Sequence, residues 1–242
     1  MIMLSTQQGS LEWLRDRLYR LTASGAKSLI TSTGKLSKSK TAIKAIDKLI
    51  AGHRLANVMA EDDTLTMIDE MDEWELKKFM SNYVGDVFKG NLHTERGHDC
   101  EADAMAALSE IVGQQFQDVG MCVMGDSVSG VISCSPDGVL MDDGKMIAGG
   151  EVKSLCLCNY YGVVVDGILP PDHKLQCHLS MAVCGVDTWH FGVYFKDEPL
   201  FYVPVKWDSF TDAIKDSLQE FEVMYAERYE TVTNAVKNLK KL

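Results

Sequence analysis

Cys134-Ser135-Pro136-Asp137-Gly138-Val139-Leu140-Met141-Asp142-Asp143-Gly144-Lys145-Met146-Ile147-Ala148-Gly149-Gly150-Glu151-Val152-Lys153 decides how this chain is read. Val139–Ile147 reads as strand, Asp-Gly turn, strand, the signature of a hairpin. Paired strands lie about 5 Å apart, so a hairpin lets Asp137 and Glu151 converge. Side chains alternate along a strand, so Glu151 and Lys153 share a face while Val152 points into the core. Two carboxylates beside an ammonium suit metal-dependent phosphodiester hydrolysis. The acids offer hard oxygen ligands to Mg²⁺, and the Lys can orient water and steady developing charge. An isolated Glu-x-Lys is ordinarily an exposed ion pair, and Pro, Asp and Gly are common turn formers. Here the apolar stretches around Val128–Ile132 and Ile147 embed both acids in core strands, where an unpaired charge is costly.

Working outward, the pattern after Gly113 predicts strands at 117–124, 128–134, 139–141 and 145–153, then a helix at 175–183. Strands at 189–195 and 200–205 and a helix over 209–239 complete the chain. Before Gly113 it predicts helices at 11–18, 25–30 (capped by Thr22-Ala23-Ser24), 40–59, 74–83 and 94–111, with a mobile Ser/Thr/Lys/Gly loop at 31–39. The fold class expected is α/β, a mixed-sheet α+β core behind a helical N-terminal portion.

The 242 residues are read as one domain: a basic helical part at 1–60, an acidic insert at 61–90, a core at 91–205 and a C-terminal helix at 206–242. Net charge is −11, which argues against a general nucleic-acid coat. Its distribution is uneven, however. Residues 1–60 hold ten Lys/Arg against three acids, a balance of +7, and residues 61–75 hold eight acids and no base. A phosphate-facing surface and a solvated helix face are both open for the first third. No apolar run is long enough to cross a bilayer, and no signal-peptide pattern opens the chain. Seven scattered cysteines suggest a reducing cytoplasm. Cys156, Cys158, Cys177 and Cys184 match no zinc-finger spacing and read as buried small hydrophobes.

The motifs now form an ordered set. It comprises Trp13-x-x-x-Arg17 with Leu21-Thr22-Ala23-Ser24, Thr94-Glu95-Arg96-Gly97-His98-Asp99-Cys100-Glu101, the Ser-Pro-Asp-Gly turn, Glu151-Val152-Lys153, and Leu175-Gln176-Cys177-His178. Together they resemble the lambda exonuclease and YqaJ-type viral recombinase nucleases of the PD-(D/E)XK superfamily, over about Trp13 to Phe195. The resemblance implies a restriction-endonuclease-like core and a 5′→3′ exonuclease on double-stranded DNA ends that leaves 3′ overhangs for recombination. It implies that Asp137, Glu151 and the Val152 carbonyl bind Mg²⁺ (or Mn²⁺), that Glu101 holds a second ion or its water, and that Lys153 positions the attacking water. Gln176 would support the site, and Arg17, Ser24 and Ser135 would bind the 5′-phosphate. Arg supplies a bidentate fork to phosphate, and Ser24 at a helix start suits an anion. A trimeric ring around DNA, a single-strand annealing partner and a phage- or bacterium-encoded protein inside the bacterial cell are implied as well. His178 stands where the family often has a second Gln, and Asp126 is left outside the site. Endonucleolytic action, another polarity, or a non-catalytic DNA-binding scaffold are the alternatives.

Overall fold

A computed structural model describes residues 1–84 and 92–239, without the side chains of residues 73 and 92–99. The expected hairpin is present. Strands β5 (Gly138–Asp142) and β6 (Lys145–Ser154) pair antiparallel, closing through Asp143 and Gly144 with Asp142 opposite Lys145. Both turn residues have positive φ, 44° and 74°, as a two-residue turn matched to strand twist requires. β7 (Thr188–Tyr194) adds parallel to β6, and β8 (Phe201–Lys206) adds antiparallel to β7, giving the sheet order β5-β6-β7-β8.

A second sheet, β1-β3-β4-β2, joins the two ends of the first half of the chain. β1 (Ile2–Leu4) pairs with β3 (Met121–Val123), and β2 (Leu21–Thr22) runs parallel to β4 (Ile132–Cys134). The strands predicted at 117–124 and 128–134 are thus shorter than expected, because Gly125–Gly130 turns the chain between them. Ser135-Pro136-Asp137 is the link that carries the chain from the second sheet into the first.

Helix α7 (Pro171–Cys184) underlies both sheets and is buried along most of its length, which starts with Pro171 in the first turn and stops at Gly185 in the left-handed region. It shares the main core with Trp189, Phe191 and Val193 of β7 and with Ile214, Leu218 and Phe221 of α8 (Ser209–Lys237). A smaller core on the opposite face of β6 joins Val152 to Ala104 and Leu108 of α5 (Leu92–Val112) and to Phe116. A third gathers the acidic segment: α3 (Asp62–Asp69) and α4 (Glu73–Val84) put Ile68, Met80 and Val84 against Leu55 and Met59 of α2 (Lys40–Met59).

Other sequence expectations need correction as well, among them the burial of Cys156 and Cys158, which are half-buried and exposed. A helix, α6 (Leu157–Asp166), stands where no element is expected. The 31–39 loop is fastened: Leu36 is buried, its N–H donates to Ser217 Oγ at 3.0 Å, and that hydroxyl donates to the Gly34 carbonyl at 2.8 Å. The segment expected as a helix over 25–30 is a 3₁₀ helix at Ala23–Ser28, and its cap is Thr22, whose side chain accepts from Gly25 N–H. Ser24 lies inside that turn and does not begin a helix.

Candidate active site

The site grows from the strand alternation at the end of β6. Val152 is buried on the α5 side, while Glu151 and Lys153 face the other way, towards α1 (Leu11–Arg17) and α7. The two glycines before them are required by packing. A Cβ at Gly149 would run into the Trp189 ring, its register partner on β7, and one at Gly150 would meet Phe116 at 2.9 Å.

Asp137 arrives from the inter-sheet link and accepts a hydrogen bond from the Val152 N–H at 2.7 Å. Its own N–H donates to the Gly150 carbonyl at 3.1 Å, so the backbone of β6 fixes it at both ends. Glu151, 2% exposed, accepts from Gln176 Nε2 at 2.6 Å and is ion-paired with the Lys153 ammonium. Glu101 of α5 completes the wall of a cleft of about 300 Å³ that also exposes Asp137, Glu151, Lys153 and Gln176. The four acid and base positions and the Gln taken from the sequence therefore meet in one cavity.

Burial and neighbouring charges set the electrostatics of this cavity. Burial, then the neighbouring Glu151 charge, hold the Asp137 carboxyl well above the ordinary carboxylate range, with Glu101 adding to the shift. Burial opposes the charge on Lys153, but Glu151 and Asp137 outweigh it and keep the ammonium above its ordinary value. Lys153 and Arg17 share this cleft with Asp137, Glu151 and Glu101. Asp137, Glu151 and Glu101 line one cleft, and carboxylate oxygens are the donors that a hard divalent cation takes, so the donor set suits the ion that the sequence resemblance implies.

The same cleft extends to Arg17, Ser24, Ser135 and Trp13. Arg17 donates to Ser135 Oγ at 3.3 Å and to Ser24 Oγ at 3.1 Å, and its guanidinium stacks 4.3 Å from the Trp13 ring centroid. Trp13 Nε1 donates in turn to Ser135 Oγ and to the Gly120 carbonyl, each at 3.2 Å. Burial lowers the Arg17 guanidinium to about 10, against the pull of Glu151, which leaves it charged at neutral pH. A cation and two hydroxyls thus converge a short way from the carboxylates.

Some neighbours play other parts. Arg20 is buried and spent on the Gly130 and Val128 carbonyls, holding the 128–130 turn. His178 is buried with Nδ1 2.7 Å from Thr211 Oγ1, a structural position. His173 stacks on Phe191, and burial with the Lys153 and Lys27 charges lowers it to about 4, so it is neutral at working pH. Asp126 is exposed and does not line the cleft. Sequence reasoning missed Gln8, whose Nε2 donates to the Pro136 carbonyl at 2.9 Å and to that of Val119 at 3.1 Å, clamping the link that carries Asp137. No local pattern announces it. Glu95 and the other motif residues of 94–99 lie outside the described side chains.

A mixed four-stranded sheet with a Glu-x-Lys on a central strand, an Asp on the link beside it and a flanking helix that offers a Gln has the form of a PD-(D/E)XK-type fold. The YqaJ-like viral recombinase domain matches residues 12–187, and the chain belongs to that family. Two solved structures of LHK-Exo, an alkaline exonuclease from Laribacter hongkongensis, share the fold. The one described in complex with dAMP aligns at TM-score 0.68 and the other at 0.67, each with 19% identity, covering 96% of this chain and 100% of the other. No curated protein sequence matches.

Proposed function

We propose that the protein is a Mg²⁺-dependent exonuclease that degrades one strand of duplex DNA from a 5′ end and leaves a 3′ overhang for recombination by strand annealing. The observation that carries this reading is the adjacency of two functions in one cleft: an acid cluster with Lys153, and the Arg17–Ser24–Ser135 group. Asp137 and Glu151, with the Val152 carbonyl and Glu101, would hold one or two Mg²⁺ or Mn²⁺ ions, which supply a Lewis acid and an acidified water. Lys153, fixed by Glu151, orients the nucleophilic water in line with the scissile phosphorus and offsets charge on the phosphoryl oxygens. Gln176 keeps the Glu151 carboxylate in register through its 2.6 Å hydrogen bond. Arg17, made rigid by Trp13, grips the terminal phosphate through its fork, with Ser24 and Ser135 exchanging their bond to Arg17 for one to phosphate.

A terminal-phosphate grip measures one nucleotide from an end, so such a site removes mononucleotides in sequence. The relative crystallised with dAMP is in keeping with that product class. The family name supports a place in recombination and hence an annealing protein as partner. A trimeric ring, with the basic first third lining a channel and the acidic surface outside, would make digestion processive. Wild type and Lys153→Ala, incubated with Mg²⁺ and either linear duplex or covalently closed circles, test the reading. Loss of linear DNA only, abolished by EDTA and reduced on the order of 10²–10³-fold in the variant, is expected. Cleaved circles would establish an endonuclease, and full activity in EDTA would remove the metal.

A further inference from the structure

Away from the cleft, three cysteines from different elements converge. Cys122 of β3 and Cys134 of β4 are direct register partners, so their side chains share a face of the second sheet. Cys184, the last residue of α7, meets them there. Their sulfurs all lie within 4.8 Å of one another, with Cys134 and Cys184 at 3.5 Å. All three side chains are buried, at 0%, 1% and 8% exposure, and no disulfide joins them.

We propose that Cys122, Cys134 and Cys184 form a binding site for a soft d¹⁰ cation, of the Zn²⁺ or Cu⁺ type, that staples the second sheet to α7. Geometry supports it first. An ion bonded to three sulfurs at about 2.3 Å holds them roughly 3.8–4.0 Å apart, which falls inside the observed spread. Shifts of under an ångström would complete the site. A disulfide, by contrast, needs about 2.05 Å between sulfurs, a larger contraction of two packed elements. Chemistry supports it next. Thiolates prefer soft ions, whereas the carboxylate cleft prefers hard ones, so the two sites differ in the ion that suits them. Binding releases the protons of the thiols that become thiolates. In an apolar pocket the least residual charge is preferred. A divalent ion on three thiolates leaves one net negative charge, and a monovalent ion reaches the same state if one sulfur keeps its proton.

The position gives the staple a consequence for the cleft. Cys134 directly precedes Ser135, and Cys184 ends the helix that carries Gln176. An ion there ties together the elements that present the terminal-phosphate group and the Glu151 support.

The test uses reduced, metal-free full-length protein with excess Mg²⁺ to occupy the cleft. Cd²⁺ serves as an optical stand-in, read by its thiolate charge-transfer absorption, and Zn²⁺ and Cu⁺ are added as competitors in separate arms. One Cd²⁺ per chain is expected, displaced by Zn²⁺, by Cu⁺ or by both, and accompanied by a raised Tm. Asp137→Asn and the Cys156→Ser/Cys158→Ser double variant should keep the band, while Cys134→Ser and Cys184→Ala should weaken binding at least tenfold. X-ray absorption of the Zn-loaded wild type, which needs no variant to fold, should count three sulfurs around the ion. No band in folded protein, a band that follows Cys156 and Cys158, or an oxygen-dominated shell would each overturn the proposal and leave three thiols that pack as small hydrophobes.

Discussion

Asp137 carries the pH behaviour of the site. Its carboxyl is held above the ordinary range chiefly by burial and then by Glu151. Below that raised value a bound cation must displace a proton. Mg²⁺ affinity is therefore expected to climb as pH rises and to level off once Asp137 is ionised, with proton release visible by calorimetry in buffers of different ionisation enthalpy. Lys153, raised as well, stays charged through the alkaline range. The sign for stability follows. A carboxyl with a raised folded value destabilises the metal-free protein as pH rises from the unfolded value through the folded one. Asp137→Asn keeps an acceptor for the Val152 N–H, so the metal-free variant should melt above wild type in alkaline buffer while losing activity. A lower Tm would show that the carboxylate is not strained. Arg17→Ala removes the fork and should erase the preference for a 5′-phosphate over a 5′-hydroxyl end. A charged hydrogen bond of about 1.5–3 kcal/mol corresponds to roughly 10–150-fold, read as the ratio of kcat/KM on the two substrates. At this scale the strand alternation made Glu151, Val152 and Lys153 legible. Gln8 was not, because its partners lie 111 and 128 residues away and only the β1–β3 pairing brings it over Pro136. Thr22 and Ser24 are both capping residue types, and only the chain's path into the 3₁₀ turn chooses Thr22.

Among the elements, those with strong periodicity were read well: α2 spans Lys40–Met59 as its apolar spacing indicates, and the Asp-Gly turn closes β5 on β6. Helix α6 was hidden by Val163-Val164-Val165, since β-branched residues weaken any helical signal. The 31–39 loop looked mobile because its composition is that of a linker. Leu36 reverses this by entering the core and bringing the Ser217 hydrogen bonds with it. Ser217→Ala leaves a buried N–H and carbonyl unpaired and should cost about 1–3 kcal/mol. Amide exchange at Leu36 should accelerate with it, and unchanged exchange would mean that the apolar anchor alone holds the loop.

At the level of the whole molecule, the mixed α/β class was legible from the order of elements, but the partition into two sheets was not. Pairing β1 with β3 and β2 with β4 joins residues more than a hundred positions apart, and no local pattern encodes such a return. That return builds the cleft: it lays Gln8, Trp13 and Arg17 from the first segment against acids from β6 and the inter-sheet link. Among the described residues no helix is long and apolar enough to cross a membrane. Light scattering should give about three times the 26.9 kDa chain mass if the proposed ring forms, and a monomer at all working concentrations would remove it. In the proposed mechanism a terminal-phosphate grip beside the cleft's carboxylates sets the direction of digestion. A linear duplex carrying distinct labels at the 5′ and 3′ termini of one strand, digested with Mg²⁺ under single-turnover conditions, reads that direction. The 5′ label should leave first as a mononucleotide while the 3′ label stays in long products. Early release of the 3′ label, or internal fragments carrying either label, would contradict it.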